Sequence, residues 1–233
     1  MLVYCVMIEM THVFKTYPSQ IEALSDINLA ISPEEFIFVT GPSGSGKTTL
    51  LHILFCLEKP THGQVMINGI DITRKGFKRV YQLRRRIGMV FQDFKLLRDR
   101  TVGENIAFAL EVTGHTKNEV QRRVSAILEW VGLLERERDS ILTLSAGEQQ
   151  KIAIARAVIN HPLLLLADEP TGNLDDQMTS EIMTLFIALH RQGTTVVFTT
   201  QSKDLIGRYH YPAIHLLKGR RVNGEIEGEV KRE

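Results

Sequence analysis

Short apolar runs alternate with stretches of helical spacing along most of the chain. That order predicts an α/β fold with a largely parallel sheet. Four runs stand out, at residues 36–40, 87–91, 163–167 and 194–200, and each stops at a polar or glycine-rich segment. In open α/β sheets the ligand crevice lies beyond the carboxyl ends of the strands. Four such endings on one edge would build a single site from distant pieces of sequence. Residues 7–14 read as a further strand. Helical spacing appears at 49–57, 116–131 and 148–158, so the middle of the chain, about 95–160, reads as a helical insertion between core strands. Trp130, Ile127, Leu128 and Leu133 fall to the core of that insertion. The stretch 216–230, with Gly219, Gly224 and Gly228 among charges, reads as a hairpin or frayed tail.

The chain has 233 residues, enough for one or two domains and a sizeable core. Hydrophobic residues at 43% and charged residues at 24% exclude disorder, collagen and coiled-coil arrays. With 28 basic and 27 acidic residues the net charge is +1, so no global field draws the chain to nucleic acid or anionic lipid, and no nucleic-acid partner is expected. Cys5 and Cys56 form no framework; they fit a reducing compartment and read as small buried apolar residues. No apolar run is long enough to span a bilayer. Residues 1–6 are apolar but lack a basic flank and a cleavage site, so they are read as an extension ahead of a natural start at Met7.

Gly41-Pro42-Ser43-Gly44-Ser45-Gly46-Lys47-Thr48 follows the run 36–40 and precedes the apolar helical segment that opens at Thr49. It matches G-x-x-x-x-G-K-[ST] in its strand–loop–helix context. Glycines let backbone N–H groups turn inward on phosphate oxygens, and the following helix points its positive end at the same anion. Lys47 is expected to reach the β and γ phosphates, and the Thr48 hydroxyl to ligate Mg²⁺. A second signal is the run 163–167 ending in Asp168-Glu169. Asp168 suits the metal role through water, and Glu169 is placed to polarise an attacking water, which favours hydrolysis over transfer. A third is Leu144-Ser145-Ala146-Gly147-Glu148-Gln149-Gln150 ahead of a helical run. Ser145 with Glu148 three residues on is a capping box. Ser145 and Gly147 also offer a hydroxyl and a bare N–H at a positive helix end, a second anion-binding surface.

Together these segments resemble the nucleotide-binding subunit of ABC ATPases. Residues 41–48 resemble its Walker A, Gln92 its Q-loop, 144–150 its signature motif, 163–169 its Walker B with catalytic glutamate, and Asn173-Leu174-Asp175 its D-loop. Tyr17 matches the aromatic that stacks on adenine. The resemblance covers almost the whole chain. It implies a P-loop NTPase core with a largely parallel sheet, an N-terminal antiparallel β portion and an inserted α-helical subdomain. One cassette would occupy 7–233, its core about 7–92 and 160–233 and its insertion about 93–159. It implies ATP and Mg²⁺, with Gln92 joining Thr48 and Asp168 at the metal and Thr49 joining the nucleotide site. It also implies a head-to-tail homodimer in which each ATP touches one subunit's loop and its twin's Ser145 and Gly147. Residues 83–88, 91–97, 99–102, 104–105 and 167–176 are most similar to the cell-division members. Those imply an integral membrane partner of the FtsX type, contact with divisome components, control of cell-wall hydrolases, and a place on the cytoplasmic face of the inner membrane. Lipoprotein-release and efflux ATPases share Thr171-Gly-Asn-Leu-Asp175 and remain the alternative.

Two positions depart from the family pattern. Ala146 stands at the third position of the signature, where the family usually has its first glycine, a small cost if its φ is negative. Gln201 stands where a histidine is expected to meet the γ-phosphate; its amide donates a hydrogen bond but carries no charge. Gln201 thus raises a further alternative, an ATP-gated scaffold with very low turnover. Arg74, Lys75, Lys78, Arg79, Arg84, Arg85 and Arg86 read either as a surface for anionic headgroups or as a solvated face, the more ordinary reading. Phe94, Leu96 and Leu97 read as exposed apolar groups, fit for a partner helix or for internal packing. The eight histidines lack metal spacing, so no zinc site is expected.

Overall fold

A computed structural model describes residues 6–222. Most of the expected N-terminal extension, with Cys5, lies outside the described residues, as do Gly224 and Gly228. In chain order the elements are β1 (Ile8–Thr16), β2 (Glu22–Ile31), β3 (Phe36–Thr40), α1 (Lys47–Leu54), β4 (His62–Ile67), β5 (Ile70–Asp71), α2 (Val80–Arg84) and β6 (Ile87–Val90). They continue as α3 (Val102–Glu111), α4 (Lys117–Trp130), α5 (Ala146–Val158), β7 (Leu164–Ala167), α6 (Asp176–Arg191), β8 (Thr195–Thr200), α7 (Lys203–Tyr209), β9 (Ala213–Leu217) and β10 (Arg220–Val222). The described residues form two compact units, one of residues 6–78 with 197–222 and one of residues 79–196.

In the first unit, β1 pairs antiparallel with both β2 and β4, in the order β2-β1-β4-β5. Ile8 faces Ile31 on one side and Ile67 on the other, and all three are buried, so the register places an apolar row across the sheet. The all-buried β3 lies parallel to β9, which turns back antiparallel into β10. Phe36 stacks on Tyr211 with centroids 4.2 Å apart, and Phe38 meets Phe198 edge-on at 5.5 Å. The tail read as hairpin or frayed is a hairpin through residue 222, with Gly219 at φ +74 in its turn.

In the second unit, β6 and β7 run parallel, Ile87 opposite Leu164 and Val90 opposite Ala167, every residue buried. That accounts for their unbroken apolar reading. α3, α4 and α5 share a core of Val102, Ile106, Leu110, Val124, Leu128 and Ile152, with Ile127 and Trp130 half-buried against it. Helix starts follow side-chain caps: Thr101 and Ser145 in full capping boxes, and Thr116 and Asp175 on the N–H three residues on. The helix read from Thr49 begins at Lys47, which puts Lys47 and Thr48 in its first turn. Cys56, read as buried, is only half-buried, in a left-handed turn after α1. Among the described residues no helix is long and apolar enough to cross a membrane.

Candidate active site

In the first unit the glycine loop between β3 and α1 is held tightly from behind. A Cβ on Gly41 would lie 2.2 Å from the Leu216 carbonyl oxygen, and one on Gly46 2.5 Å from that of Ala23. Both have positive φ, +146 and +105, so only glycine fits there. Pro42, Ser43, Gly44 and Thr48 are exposed on the loop's outer side. Lys47 is buried, and its Nζ donates to the carbonyls of Gly41 at 2.8 Å and Pro42 at 3.0 Å. An ammonium folded onto its own loop is ready to exchange carbonyl oxygens for phosphate oxygens. Ser45 Oγ is buried with no hydrogen-bond partner. Tyr17 stands at this loop, its hydroxyl 3.4 Å from Thr49 Oγ1, with Lys15 Nζ 4.8 Å above the ring. Gln201 is exposed at the end of β8, and next to it the Thr200 hydroxyl accepts from the Ser202 N–H.

The second unit holds the other expected residues. Asp168 is buried at the end of β7, its N–H donating to Val90 O at 2.9 Å. Glu169 follows at φ +43, a left-handed conformation that costs a non-glycine residue on the order of 1–3 kcal/mol and tends to mark functional positions. The Gly172 N–H closes that turn on the Glu169 carbonyl at 3.1 Å. Gln92 is exposed just beyond β6. Ser145 is exposed at the tip of α5, while Gly147 is buried where a Cβ would lie 2.7 Å from the Met178 side chain. Ala146 is the first residue of α5 and has a negative φ, so its methyl group is accommodated. Glu148 accepts from the Ser145 N–H and hydroxyl, both at 2.8 Å. These bonds, backbone first, hold its carboxyl below the ordinary range; burial opposes them, and Arg136 and Lys151 add to them.

Two positioning residues escaped the sequence reading. Asn105, fully buried, accepts from the Leu97 N–H at 2.7 Å and donates to the Leu97 and Thr101 carbonyls. Arg156 on α5 donates to the carbonyls of Phe94 and Lys95, both at 2.7 Å, and those two residues are left-handed at φ +60 and +49. The segment after Gln92 is therefore drawn inward. Phe94, Leu96 and Leu97, read as exposed, are half-buried, with Leu96 on the helical core. An asparagine at a buried helical spacing was the available signal for the first; Arg156 gave none.

The ABC transporter family profile matches residues 24–172. The chain belongs to that family. It is an ABC ATPase with the P-loop NTPase fold that the resemblance implied. It is 46% identical over 213 residues to the cell division ATP-binding protein FtsE of Escherichia coli, covering 91% of this chain and 96% of that one. To FtsE of Bacillus subtilis it is 44% identical over 223 residues, covering 96% and 98%. Among solved structures, an ATP-binding cassette described as a dimer in a post-hydrolysis state bound to ADP and Pi superposes with a TM-score of 0.85. That cassette is 36% identical, over 94% of this chain and 98% of its own. CbiO1 of Clostridium perfringens, described as part of the ABC transporter complex CbiONQ, superposes at 0.83 with 27% identity, over 93% and 87%.

Proposed function

We infer that the chain is the ATP-binding subunit of an FtsEX-like complex. ATP binding closes a head-to-tail homodimer and hydrolysis opens it, driving an integral membrane partner of the FtsX type that regulates cell-wall hydrolysis in division. The observation that carries this reading is identity of 44–46% to two FtsE proteins over nearly the full length of both chains. We assign residues 7–233 to one cassette with 93–159 as its helical insertion, bound to the cytoplasmic face of the inner membrane through its partner.

The residue roles follow from chemistry. The backbone N–H groups of 43–49 wrap the β and γ phosphates, Pro42 shaping the loop without donating, and Lys47 leaves its loop carbonyls to pair with the same oxygens. The orphaned Ser45 hydroxyl inside the loop supports a polar occupant, because a buried hydroxyl without a partner is costly. Tyr17 offers its ring to adenine. Thr48, Gln92 and Asp168 are hard oxygen donors of the kind Mg²⁺ takes alongside phosphate oxygens and water. Bound there, Mg²⁺ would neutralise charge developing on the phosphates. Glu169 orients and deprotonates the attacking water, and Gln201 donates an amide hydrogen to the γ-phosphate. Ser145 and the Gly147 N–H close on the γ-phosphate held by the twin subunit, which makes ATP the link between protomers. Gln201 keeps one other reading in view, a scaffold gated by ATP with very low turnover.

The test is phosphate release by the purified full-length chain, with Glu169→Gln beside it, and co-purification from solubilised membranes. Loss of a general base lowers the rate by about 100-fold or more, and Glu169→Gln should accumulate ATP-bound dimers that retain an FtsX-type protein. An unchanged rate in Glu169→Gln would overturn the catalytic assignment. An FtsX-free precipitate would overturn the choice of partner.

A further inference from the structure

The helix tip at Ser145 presents an electrostatic difficulty. On the reading above, it must accept the terminal phosphate of an ATP bound to the twin subunit. Yet Glu148 Oε2 sits 2.8 Å from the Ser145 hydroxyl that would meet that phosphate. A carboxylate this close to the landing place of a triphosphate repels it, and at such range Coulomb terms decide affinity. The α5 dipole favours the anion, but it acts on the carboxylate and the phosphate alike.

The structure offers a remedy on the other carboxylate oxygen. Arg136 Nη1 donates to Glu148 Oε1 at 2.9 Å, while its Nε is bound to Asp139 Oδ2. Arg136 and Glu148 are both only partly exposed, at 33% and 25% of their side chains. Lys151, the next cation along the helix, is committed to Glu181 at 2.7 Å. Among the described residues Arg136, shared with Asp139, is thus the cation in direct contact with the carboxylate at the signature tip.

We propose that Arg136 is a positioning residue for the ATP-driven dimer, whose guanidinium neutralises Glu148 so that the Ser145 tip can receive the partner-bound γ-phosphate. In the unliganded tip Glu148 accepts the single hydroxyl hydrogen of Ser145; to meet the phosphate the hydroxyl must turn that hydrogen away from Glu148, and Arg136 keeps the carboxylate paired when it does. This rests on the head-to-tail reading and names a residue outside the family motifs.

A double-mutant cycle decides it. The dimer dissociation constant of the full chain is measured by sedimentation in saturating MgATP, in the Glu169→Gln background that holds the ATP state. ATP affinity of the monomer and the melting temperature are measured beside it. Arg136→Ala should weaken the dimer about ten-fold, leave monomer affinity unchanged, and recover in part with Arg136→Lys. Glu148→Gln keeps the capping box, because glutamine serves at that position, and should leave the dimer as strong or stronger. The decisive arm is Arg136→Ala with Glu148→Gln, which should restore the Glu148→Gln affinity, since no carboxylate remains to neutralise. A purely structural role for Arg136 would not be rescued in this way. An additive loss in the double variant, an unchanged dimer in Arg136→Ala, or a parallel fall in monomer affinity would each overturn the proposal. Ser145→Arg serves as the control: if it leaves the ATP-driven dimer intact, the head-to-tail reading fails. If it abolishes the dimer while the cycle is additive, only the role of Arg136 fails.

Discussion

Gly44 and Gly219 share φ +74 but not their surroundings, which makes them a matched pair for separating backbone strain from packing. A Cβ on Gly44 meets nothing within 4 Å. Alanine there carries only the left-handed cost of about 1 kcal/mol. A Cβ on Gly219 would lie 2.8 Å from the Ala23 carbonyl oxygen, 3.1 Å from its carbon and 3.2 Å from Leu24 Cα. All three are backbone atoms, so no rotamer relieves the overlap and the hairpin turn must shift. That turn accepts from the Ser25 N–H at 2.8 Å and donates to the Ser45 carbonyl at 3.1 Å. Losing both bonds, at about 1 kcal/mol each, brings the total for Gly219→Ala to about 3 kcal/mol. With unfolding entropy of about 2.1 cal/mol/K per residue, 1 kcal/mol corresponds to about 2 °C in a chain of this length. Calorimetry without nucleotide should then show Tm falling by about 6 °C in Gly219→Ala and about 2 °C in Gly44→Ala. Equal shifts would refute the idea that the C-terminal hairpin buttresses the phosphate loop through this close approach.

Two other outcomes are expected. On the role proposed for Gln201, Gln201→His would put a chargeable group at the γ-phosphate, so steady-state ATPase activity should rise above wild type; no gain would mean that the amide already serves. Glu148 has a folded pKa below its unfolded one, so its contribution to stability is complete above the ordinary carboxylate value of about 4.3 and is lost as pH falls through the lowered folded value. Thermal melts from pH 6 down to pH 3 should therefore show wild type losing Tm faster than Glu148→Gln and converging with it at the acid end. Parallel curves would contradict a lowered folded value for Glu148.

What was legible in the sequence was whatever depends on neighbours along the chain. The buried runs of β3, β6, β7 and β8 appeared because both faces of such strands are covered, leaving no alternation to confuse them with surface strands. The capping box at Ser145 and the glycine loop appeared because each is a local arrangement of a few residues. The start of α1 at Lys47 was misplaced by two residues because Gly46 caps it through backbone geometry at φ +105, with no side-chain cap to mark it. The role of the tail was not legible at all. Gly219 supports the phosphate loop across more than 170 residues of sequence, through backbone atoms that any residue type carries.

Helix α5 shows why the contacts that were missed matter to the ones that were read. Its 13 residues span about 20 Å. At its first turn Ser145 and Glu148 form the tip that the signature pattern predicts. Near its other end Arg156 holds the carbonyls of two left-handed residues just past Gln92. Burial works against the charge on Arg156, and a cation held there with less than full solvation needs acceptors. The left-handed pair at Phe94 and Lys95 supplies them by turning two carbonyls the same way. The two hydrogen bonds from the guanidinium therefore offset both the strain in the loop and the desolvation of the arginine. A sequence pattern records the two ends of this helix as separate motifs; the shared rod, and the guanidinium that fastens one end of it, make them parts of one device.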